Sequence, residues 1–264
     1  MCVLKFGMPT LIETATIEDC AALCRELGLD FIEMNMNLPQ YQIQTMDPER
    51  FRRAAEDYGI FYTIHLDENM NVCDFNPDVA AAYRDTVIKT IAFARELRIP
   101  VLNMHMWPGV YFTLPEGKVY LFEKYREEYL EKLLLFREEC EKAIGDANMK
   151  ICVENWHGYP RWQVEALEVL LESPVFGLTF DVGHNFCVGG ADEQVILDRA
   201  EKLHHMHLHD VKDGTKDHMA LGTGQLDIRR YLELARQRKC SVVLETKTVS
   251  GLRQSVHWID RNWR

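Results

Sequence analysis

Long apolar runs are missing from the 264-residue sequence, and so is a recognisable export signal. No stretch approaches the roughly 18 consecutive apolar residues that a transmembrane helix needs. The first ten residues, MCVLKFGMPT, lack the basic region and the long apolar run of a signal peptide. We therefore expect a cytoplasmic protein with no membrane partner.

Basic residues are scarce relative to acidic ones. The sequence has 30 Lys and Arg against 41 Asp and Glu, which gives a formal net charge of -11. Such a charge repels nucleic acid phosphates and anionic membranes, and no basic run is interleaved with aromatic residues. The composition argues against a nucleic acid partner and favours a small-molecule substrate.

Closely spaced cysteines are almost absent, although the sequence has eight cysteines. Cys20 and Cys24 form the one close pair, and their helical spacing favours core packing over a zinc site. Three other cysteines lie in apolar strand-like runs and one in a helical run: Cys2, Cys152, Cys240 and Cys140. This distribution predicts buried free thiols in a reducing compartment.

No linker, low-complexity tract or sequence repeat divides the chain, which favours a single domain over residues 1–264. Short apolar runs alternate with longer amphipathic runs about eight times. The predicted strands are Val3–Phe6, Phe31–Met34, Phe61–His65, Val101–Met106, Ile151–Glu154, Leu178–Asp181, Met206–Leu208 and Val242–Glu245. The predicted helices are Thr16–Leu27, Pro48–Tyr58, Pro77–Leu97, Val119–Ala143, Trp162–Leu171, Asp192–Lys202, Asp227–Arg238 and Gly251–Asn262. Eight strand–helix units of about 33 residues predict an α/β fold, a (β/α)8 TIM barrel.

A histidine-rich stretch, Leu203 to Gly224, reads LHHMHLHDVKDGTKDHMALGTG and holds five of the ten histidines. It begins with the alternation of a strand, in which His205, His207 and His209 share a face. Imidazoles and carboxylates at a strand end suit a divalent metal. The alternative is a solvated polar turn, but three histidines on one strand face are hard to bury without a ligand.

Ionisable or metal-binding side chains end seven consecutive predicted strands. In order they are Glu33 and Asn35, then His65, His105, Glu154 and Asn155, Asp181 and His184, His207 with His209 and Asp210, and Glu245 with Lys247. A lone His65 or His105 would ordinarily be a core histidine. Because active sites of TIM barrels lie at the C-terminal ends of the strands, the whole set predicts a functional site there.

The predicted metal ligands are Glu154, Asp181, His207 and Glu245, from four consecutive strands. Three carboxylates and one imidazole form an oxygen-rich shell that favours Mn2+, Mg2+ or Co2+, with Zn2+ possible. His184, three residues after Asp181, could ligate a second metal or hold the substrate.

Five segments, ICVEN, TFDVGH, HMHLHDVKDG, HMALGTGQLD and VVLET, occur in the order of the strands. In these segments the sequence resembles the xylose-isomerase-like TIM-barrel superfamily, which includes sugar phosphate isomerases and epimerases and the endonuclease IV enzymes. The resemblance covers essentially the whole chain. It implies that His207, rather than His205 or His209, is the ligand on its strand, together with Glu154, Asp181 and Glu245.

The same resemblance exposes departures from two branches of the superfamily. His65, His105, His184 and His218 match positions that hold further zinc ions in endonuclease IV enzymes, but Lys216 falls near the place of an accompanying aspartate. Ketose 3-epimerases grip the sugar with a glutamate and an arginine. At the corresponding places this chain has His157, Tyr159 and Arg161, and Lys212.

The leading functional hypothesis is a metal-dependent sugar isomerase or epimerase, in which Glu154 and Glu245 are also the catalytic bases. An alternative for these two residues is that they are ligands only and that another group moves the proton. The predicted substrate-binding residues are His65, His105, Trp107, His184, Lys212 and His218.

Aromatic residues near these positions, Trp107, Tyr111, Phe112, Trp156 and Tyr159, could stack on a sugar or merely cap the barrel. Three other functions stay open: an inosose dehydratase-like lyase acting on a cyclic polyol, an endonuclease IV-like phosphodiesterase acting at abasic sites, and a catalytically idle binding module. A homo-oligomer is also possible.

Overall fold

A closed barrel of eight parallel strands forms the centre of the computed structural model, which describes residues 4–264. The barrel strands are β1 (Lys5–Pro9), β2 (Phe31–Asn35), β3 (Phe61–His65), β4 (Val101–His105), β7 (Lys150–Glu154), β8 (Phe176–Asp181), β9 (Leu203–Leu208) and β12 (Ser241–Leu244). Two antiparallel hairpins lie outside the barrel: β5 (Tyr111–Leu114) with β6 (Gly117–Tyr120), and β10 (Asp210–Lys212) with β11 (Lys216–Met219).

The first and last barrel strands pair with each other, and Phe6 of β1 lies opposite Val242 of β12. This pairing closes the sheet and removes both of its edges. The predicted TIM barrel is therefore confirmed. The first strand lies slightly later than predicted, and Val3 and Cys2 lie outside the described residues.

Helices follow the strands along the chain. They are α1 (Ile17–Glu26), α2 (Pro48–Tyr58), α3 (Pro77–Leu97), α4 (Leu121–Lys124), α5 (Arg126–Ile144), α6 (Arg161–Leu171), α7 (Val182–Cys187), α8 (Glu193–Leu197), α9 (Ile228–Arg238) and α10 (Val249–Asn262), with short 3-10 helices at Pro39–Tyr41 and Ala200–Lys202. Local sequence explains several starts. Thr16 and Asp19 form a reciprocal capping box before α1, and Asp47 caps α2 at Pro48.

The predicted helix Val119–Ala143 is wrong at its start. Residues Gly117–Tyr120 pair with Tyr111–Leu114 as a hairpin, and the chain turns at Gly117, whose φ of 140° suits glycine. The helical part is then interrupted at Tyr125, with φ -107° and ψ 46°. The helix predicted over Asp192–Lys202 is likewise shorter, because α8 ends at Leu197.

The interior of the barrel changes from apolar to polar along its axis. Near the N-terminal ends of the strands, the ring of Phe31 stacks on Phe61 at 4.9 Å and lies 6.1 Å from the ring of His205. Buried polar residues follow towards the other end, among them Glu33, Thr63 and Asn103. The buried apolar residues of the strands and helices form a core cluster, and their burial stabilises the fold.

Seven described cysteines are free, and all but Cys187 are buried, as expected of core thiols. Among residues 4–264, no helix combines the length and the apolar character needed to cross a membrane.

Candidate metal centre

The four predicted metal ligands meet at the C-terminal mouth of the barrel. Glu154 ends β7, Asp181 ends β8, His207 lies in β9, and Glu245 directly follows β12. One ligand atom from each lies within 4.8 Å of those from the other three. The Nδ1 atom of His207 is 3.2 Å from Glu154 Oε1, 3.1 Å from Glu245 Oε2 and 3.9 Å from Asp181 Oδ2.

This group is buried and strongly charged. The side chains of Glu154, Asp181 and His207 are at most 1% exposed, and that of Glu245 is 13% exposed. Burial disfavours the charged forms of these side chains, but the attraction between the imidazole and the carboxylates outweighs the cost of burial. The imidazolium of His207 holds the pKa of Glu154 and of Glu245 well below the usual carboxylate range, and these carboxylates raise the pKa of His207.

The donor set fits a divalent cation. Within the described part of the chain, His207 Nδ1 and Glu245 Oε2 are buried without a hydrogen-bond partner. Buried polar atoms are normally paired, and three carboxylates crowded around one nitrogen favour a shared positive ion. The oxygen-rich set suits Mn2+, Mg2+ or Co2+ better than a soft metal.

Two further predicted residues, His65 and His105, lie against Glu154 on the opposite side from His207 Nδ1. Their Nε2 atoms are 3.5 and 3.2 Å from Glu154 Oε2, and Asn103 donates a hydrogen bond to the same oxygen. Sequence reasoning missed Asn103, which sits one inward-facing position before His105 on β4. Glu154 is therefore held by neighbours on both of its oxygens.

A second histidine group adjoins the four ligands. One ring nitrogen from each of His184, His209 and His218 lies within 4.8 Å of those from the other two. The rings of His209 and His218 stack at 4.2 Å, and His209 Nε2 is 3.2 Å from Asp181 Oδ1. His218 Nε2 is 3.3 Å from Glu245 Oε1. Sequence reasoning set His209 aside as a ligand, although the His-x-His alternation continues through it.

The short helix α7 explains the position of His184. Asp181 caps this helix, because its Oδ1 accepts a hydrogen bond of 2.6 Å from the backbone N–H of His184. One helical turn therefore returns the His184 ring to Asp181, with Nδ1 3.3 Å from Oδ2. Burial opposes protonation, but the Asp181 and Glu154 carboxylates raise the pKa of His184 to about 10.

Trp107 and Lys212 lie away from this centre. Trp107 stacks at 6.1 Å on Trp156, which in turn stacks at 5.1 Å on His105. Lys212 is exposed at the end of β10, opposite Lys216 in the hairpin, and forms no ion pair with a described carboxylate of the centre. Of the two, only Trp107 is connected to the centre by packing.

An aromatic cavity of about 630 Å³ lies beside the centre, between the loops that follow β4 and β7. Trp156 is shared: it stacks on His105 and also lines the cavity. The other aromatic walls are Trp107, Tyr111, Tyr120, Tyr159 and Trp162. Lys118 of the β5–β6 hairpin contributes a positive charge at the lining.

Comparison with known proteins gives three kinds of match. Two uncharacterised proteins of Methanocaldococcus jannaschii are similar in sequence. MJ1311 is 25% identical over 252 residues, covering 87% of this chain and 78% of that protein. MJ1614 is 20% identical over 181 residues, covering 67% of this chain and 66% of that protein, just under two thirds of its length.

Solved structures share the fold over nearly the whole chain. A D-tagatose 3-epimerase-like protein has a TM-score of 0.78 at 21% identity, covering 98% of this chain and 96% of that one. The 3-keto-D-glucoside 4-epimerase of E. coli has a TM-score of 0.74 at 16% identity, covering 98% and 100%. A probable 3-DHS dehydratase of Bacillus anthracis has a TM-score of 0.74 at 13% identity, covering 99% and 100%.

A family model described as xylose isomerase-like TIM barrel matches residues 21–262. That match extends from the first helix to the last and includes every residue of the centre. The chain therefore belongs to the xylose isomerase-like TIM-barrel family.

Proposed function

We propose that this chain is a divalent-metal-dependent isomerase or epimerase that acts on a sugar, a sugar phosphate or a related polyol. Glu154, Asp181, His207 and Glu245 would hold the ion. The observation that carries the proposal is the placement of two glutamates. Glu154 and Glu245 approach the same nitrogen of His207, at 3.2 and 3.1 Å, from strands that lie three apart around the barrel.

When bound, the cation would polarise a substrate carbonyl and its neighbouring hydroxyl. One glutamate would take the proton from the carbon beside the carbonyl. The electron pair of that C–H bond would form the C=C bond of an enediolate, and the carbonyl oxygen would gain the negative charge. The second glutamate, after taking up a proton from solvent, would deliver that proton to the opposite face and invert the carbon, and the first glutamate would release its proton to solvent. Return of a proton to the neighbouring carbon would interconvert aldose and ketose.

The surroundings of the two glutamates support their proposed roles in proton transfer. Both carboxylates remain ionised in their buried setting, as a base must before turnover. Glu154 is held by Asn103 and two histidines, whereas Glu245 is partly exposed at the mouth beside His218. The D-tagatose 3-epimerase-like protein and the 3-keto-D-glucoside 4-epimerase have the same fold, which is compatible with proton transfer at carbon.

The aromatic cavity would hold the part of the substrate that does not react. Aromatic faces pack well against the C–H faces of sugars, and Lys118 could meet a phosphate or carboxylate. Trp107→Ala should therefore raise KM about three- to tenfold, the worth of one aromatic contact. Phe112→Ala is the matched control, because Phe112 is 59% exposed on the nearby β5–β6 hairpin and does not line the cavity.

The decisive experiment measures exchange of carbon-bound substrate hydrogen with deuterated solvent, at saturating Mn2+ or Co2+, over a panel of ketoses, aldoses and inososes. Wild type should exchange hydrogen on at least one member. Glu154→Gln and Glu245→Gln keep an oxygen ligand but remove the base, and each should lower the exchange rate by about 100-fold or more. Exchange at near wild-type rates in both variants would refute the two-glutamate mechanism. Loss of water from an inosose would instead indicate a dehydratase.

A second candidate function is phosphodiester cleavage at abasic sites in DNA. The observation that favours it is the presence of two further histidine-containing groups, His65 with His207 and Glu154, and His184 with His209 and His218. Several metal ions held close together would suit in-line displacement at phosphorus. The acidic charge balance opposes this function.

A further inference from the structure

A line of buried polar side chains runs through the barrel interior behind the metal centre. Ser241 Oγ lies 2.6 Å from His205 Nδ1, and His205 Nε2 lies 2.8 Å from Glu33 Oε2. The other oxygen of Glu33, Oε1, lies 2.7 Å from His207 Nε2. Since Glu33 is on β2 and both histidines are on β9, these contacts cross the barrel.

Burial of this line is costly for the fold. The side chains of His205 and His207 are fully buried, and that of Glu33 is 3% exposed. Buried ion pairs commonly cost as much in desolvation as they return in attraction, and apolar side chains of similar volume would fill the space at least as well. Stability alone therefore gives a poor reason for this arrangement.

The two oxygens of Glu33 have different partners. Oε2 accepts a hydrogen bond of 3.0 Å from the Thr63 hydroxyl and contacts His205, so this oxygen is held from β3 on one side and from β9 across the barrel. Oε1 faces His207 Nε2 at close range, although the approach is off the hydrogen-bond direction. The carboxylate of Glu33 therefore contacts the His207 ring on the side away from the other three ligands.

The two nitrogens of the His207 ring consequently face different carboxylates. Nε2 faces Glu33, and Nδ1 faces Glu154, Asp181 and Glu245. A histidine that binds a metal through one nitrogen usually has its other nitrogen against a carboxylate or carbonyl, which sets the tautomer and the ring orientation. Glu33 occupies that place for His207.

We propose that Glu33 is the positioning residue for His207, and that Thr63 and His205 hold Glu33 in the orientation this requires. The inference rests on the proposed function, because it takes His207 Nδ1 to be a metal ligand. The role assigned to Glu33 is indirect, because it acts through its contact with His207 Nε2.

The test measures Co2+ binding to chelator-treated protein by calorimetry, together with the visible spectrum of bound Co2+. Glu33→Gln keeps the volume and removes the charge. It should weaken Co2+ binding about 10- to 100-fold, the usual effect of losing such a partner, and should change the Co2+ spectrum. Its thermal unfolding without metal is measured in parallel, so that affinity is compared between folded proteins.

Tyr62→Phe is the matched control. It removes another buried hydrogen bond from β3, in which the Tyr62 hydroxyl donates to the Phe51 carbonyl of helix α2. This variant should lower the unfolding temperature of metal-free protein but leave the Co2+ dissociation constant within about twofold of wild type. A purely structural role for Glu33 would give the same result as Tyr62→Phe.

Thr63→Val decides the question if Glu33→Gln does not fold, because it leaves the carboxylate in place and removes only the Thr63 bond. We expect Thr63→Val to lose Co2+ affinity several-fold. An affinity within twofold of wild type, in Thr63→Val or in folded Glu33→Gln, would overturn the inference. That result would leave the proposed function intact. Failure of wild-type protein to bind Co2+, Mn2+ or Mg2+ would overturn both.

Discussion

Asp181 has two structural roles, and each uses a different oxygen of its carboxylate. Oδ1 caps helix α7 through the His184 N–H, and Oδ2 lies 3.3 Å from the His184 ring and 3.9 Å from His207 Nδ1. The residue therefore links the start of α7 to the centre. Its substitution should affect metal binding and helix position together, whereas substitution of His207 removes a ligand without removing a cap.

Removal of His207 should abolish tight metal binding. His207→Ala leaves three carboxylates crowded without their imidazole, and the loss of affinity should exceed the roughly 10- to 100-fold effect of losing an outer partner. Metal content after dialysis against Co2+ or Mn2+ is the measurement, and Asp181→Ala should behave alike. His257→Ala is the control, because His257 is exposed on α10. Full occupancy in both centre variants would place the metal elsewhere.

The buried histidines should make metal-free protein less stable as pH rises. Although burial opposes protonation, Glu154 raises the pKa of His65 to about 9, and carboxylates raise that of His184 to about 10. Unfolded histidine titrates near 6.5. Each group therefore contributes stability that is fully present below about pH 6.5 and is lost as pH rises through its folded pKa.

The measurement is the free energy of unfolding of chelator-treated protein from pH 6 to pH 10. It should fall over this range, and the decline should be shallower in His184→Asn, because one of the groups responsible is gone. His257→Asn should keep the wild-type slope. A slope in His184→Asn equal to that of wild type would contradict the assignment.

At the scale of elements, the packing of α7 against the centre depends on Gly183. A Cβ at this position would lie 2.0 Å from a carbon of the His209 ring. Replacement of glycine by alanine inside a helix ordinarily stabilises by up to about 1 kcal/mol. Gly183→Ala should instead destabilise by roughly 1–3 kcal/mol, because His209 and its partner His218 must shift. A higher unfolding temperature for this variant would show that the histidine group is loosely packed.

Prediction of elements from sequence succeeded where burial produces a clear pattern. Most barrel strands are short, largely apolar runs, and several helices start at recognisable caps such as Asp47-Pro48. The β5–β6 hairpin gives no such signal, because its side chains are mostly exposed and two of its aromatic residues, Tyr111 and Tyr120, line a cavity. Helix α7 has only six residues, too few for a period of 3.6 to be visible.

The candidate site also has parts that the sequence predicts and parts that it does not. That Glu154, Asp181, His207 and Glu245 lie together could be predicted because each lies at or next to the C-terminal end of a strand, and barrel geometry brings these ends together. The contact between Glu33 and His205 joins residues 172 positions apart. Which residues meet across the barrel depends on its register and width, and a single sequence contains neither. His209 was set aside because the superfamily pattern assigns only one histidine of this strand.

At the scale of the whole molecule, charge separates the two candidate functions. A protein that neutralises duplex phosphates needs cations beside its active site. Near the barrel mouth, the lysines include Lys212 and Lys216 on the second hairpin, and Lys247 beside Glu245. Asp213 and Asp217 accompany the first two in sequence, and the chain as a whole carries a formal charge of -11. These few cations offer a duplex little net attraction.

We therefore expect no nicking of an abasic duplex oligonucleotide above background, at physiological salt and with saturating Co2+, Mn2+ or Zn2+. Duplex binding should be no tighter than the non-specific range of roughly 10⁻⁴ to 10⁻⁶ M, and should weaken further as salt is raised. An intact duplex of the same sequence is the substrate control. Efficient nicking that disappears in the His65→Ala/His105→Ala double variant would reverse the order of the two functions. In that case His65 and His105, 3.5 and 3.2 Å from Glu154, would be ligands of a further metal ion instead of neighbours of a catalytic base.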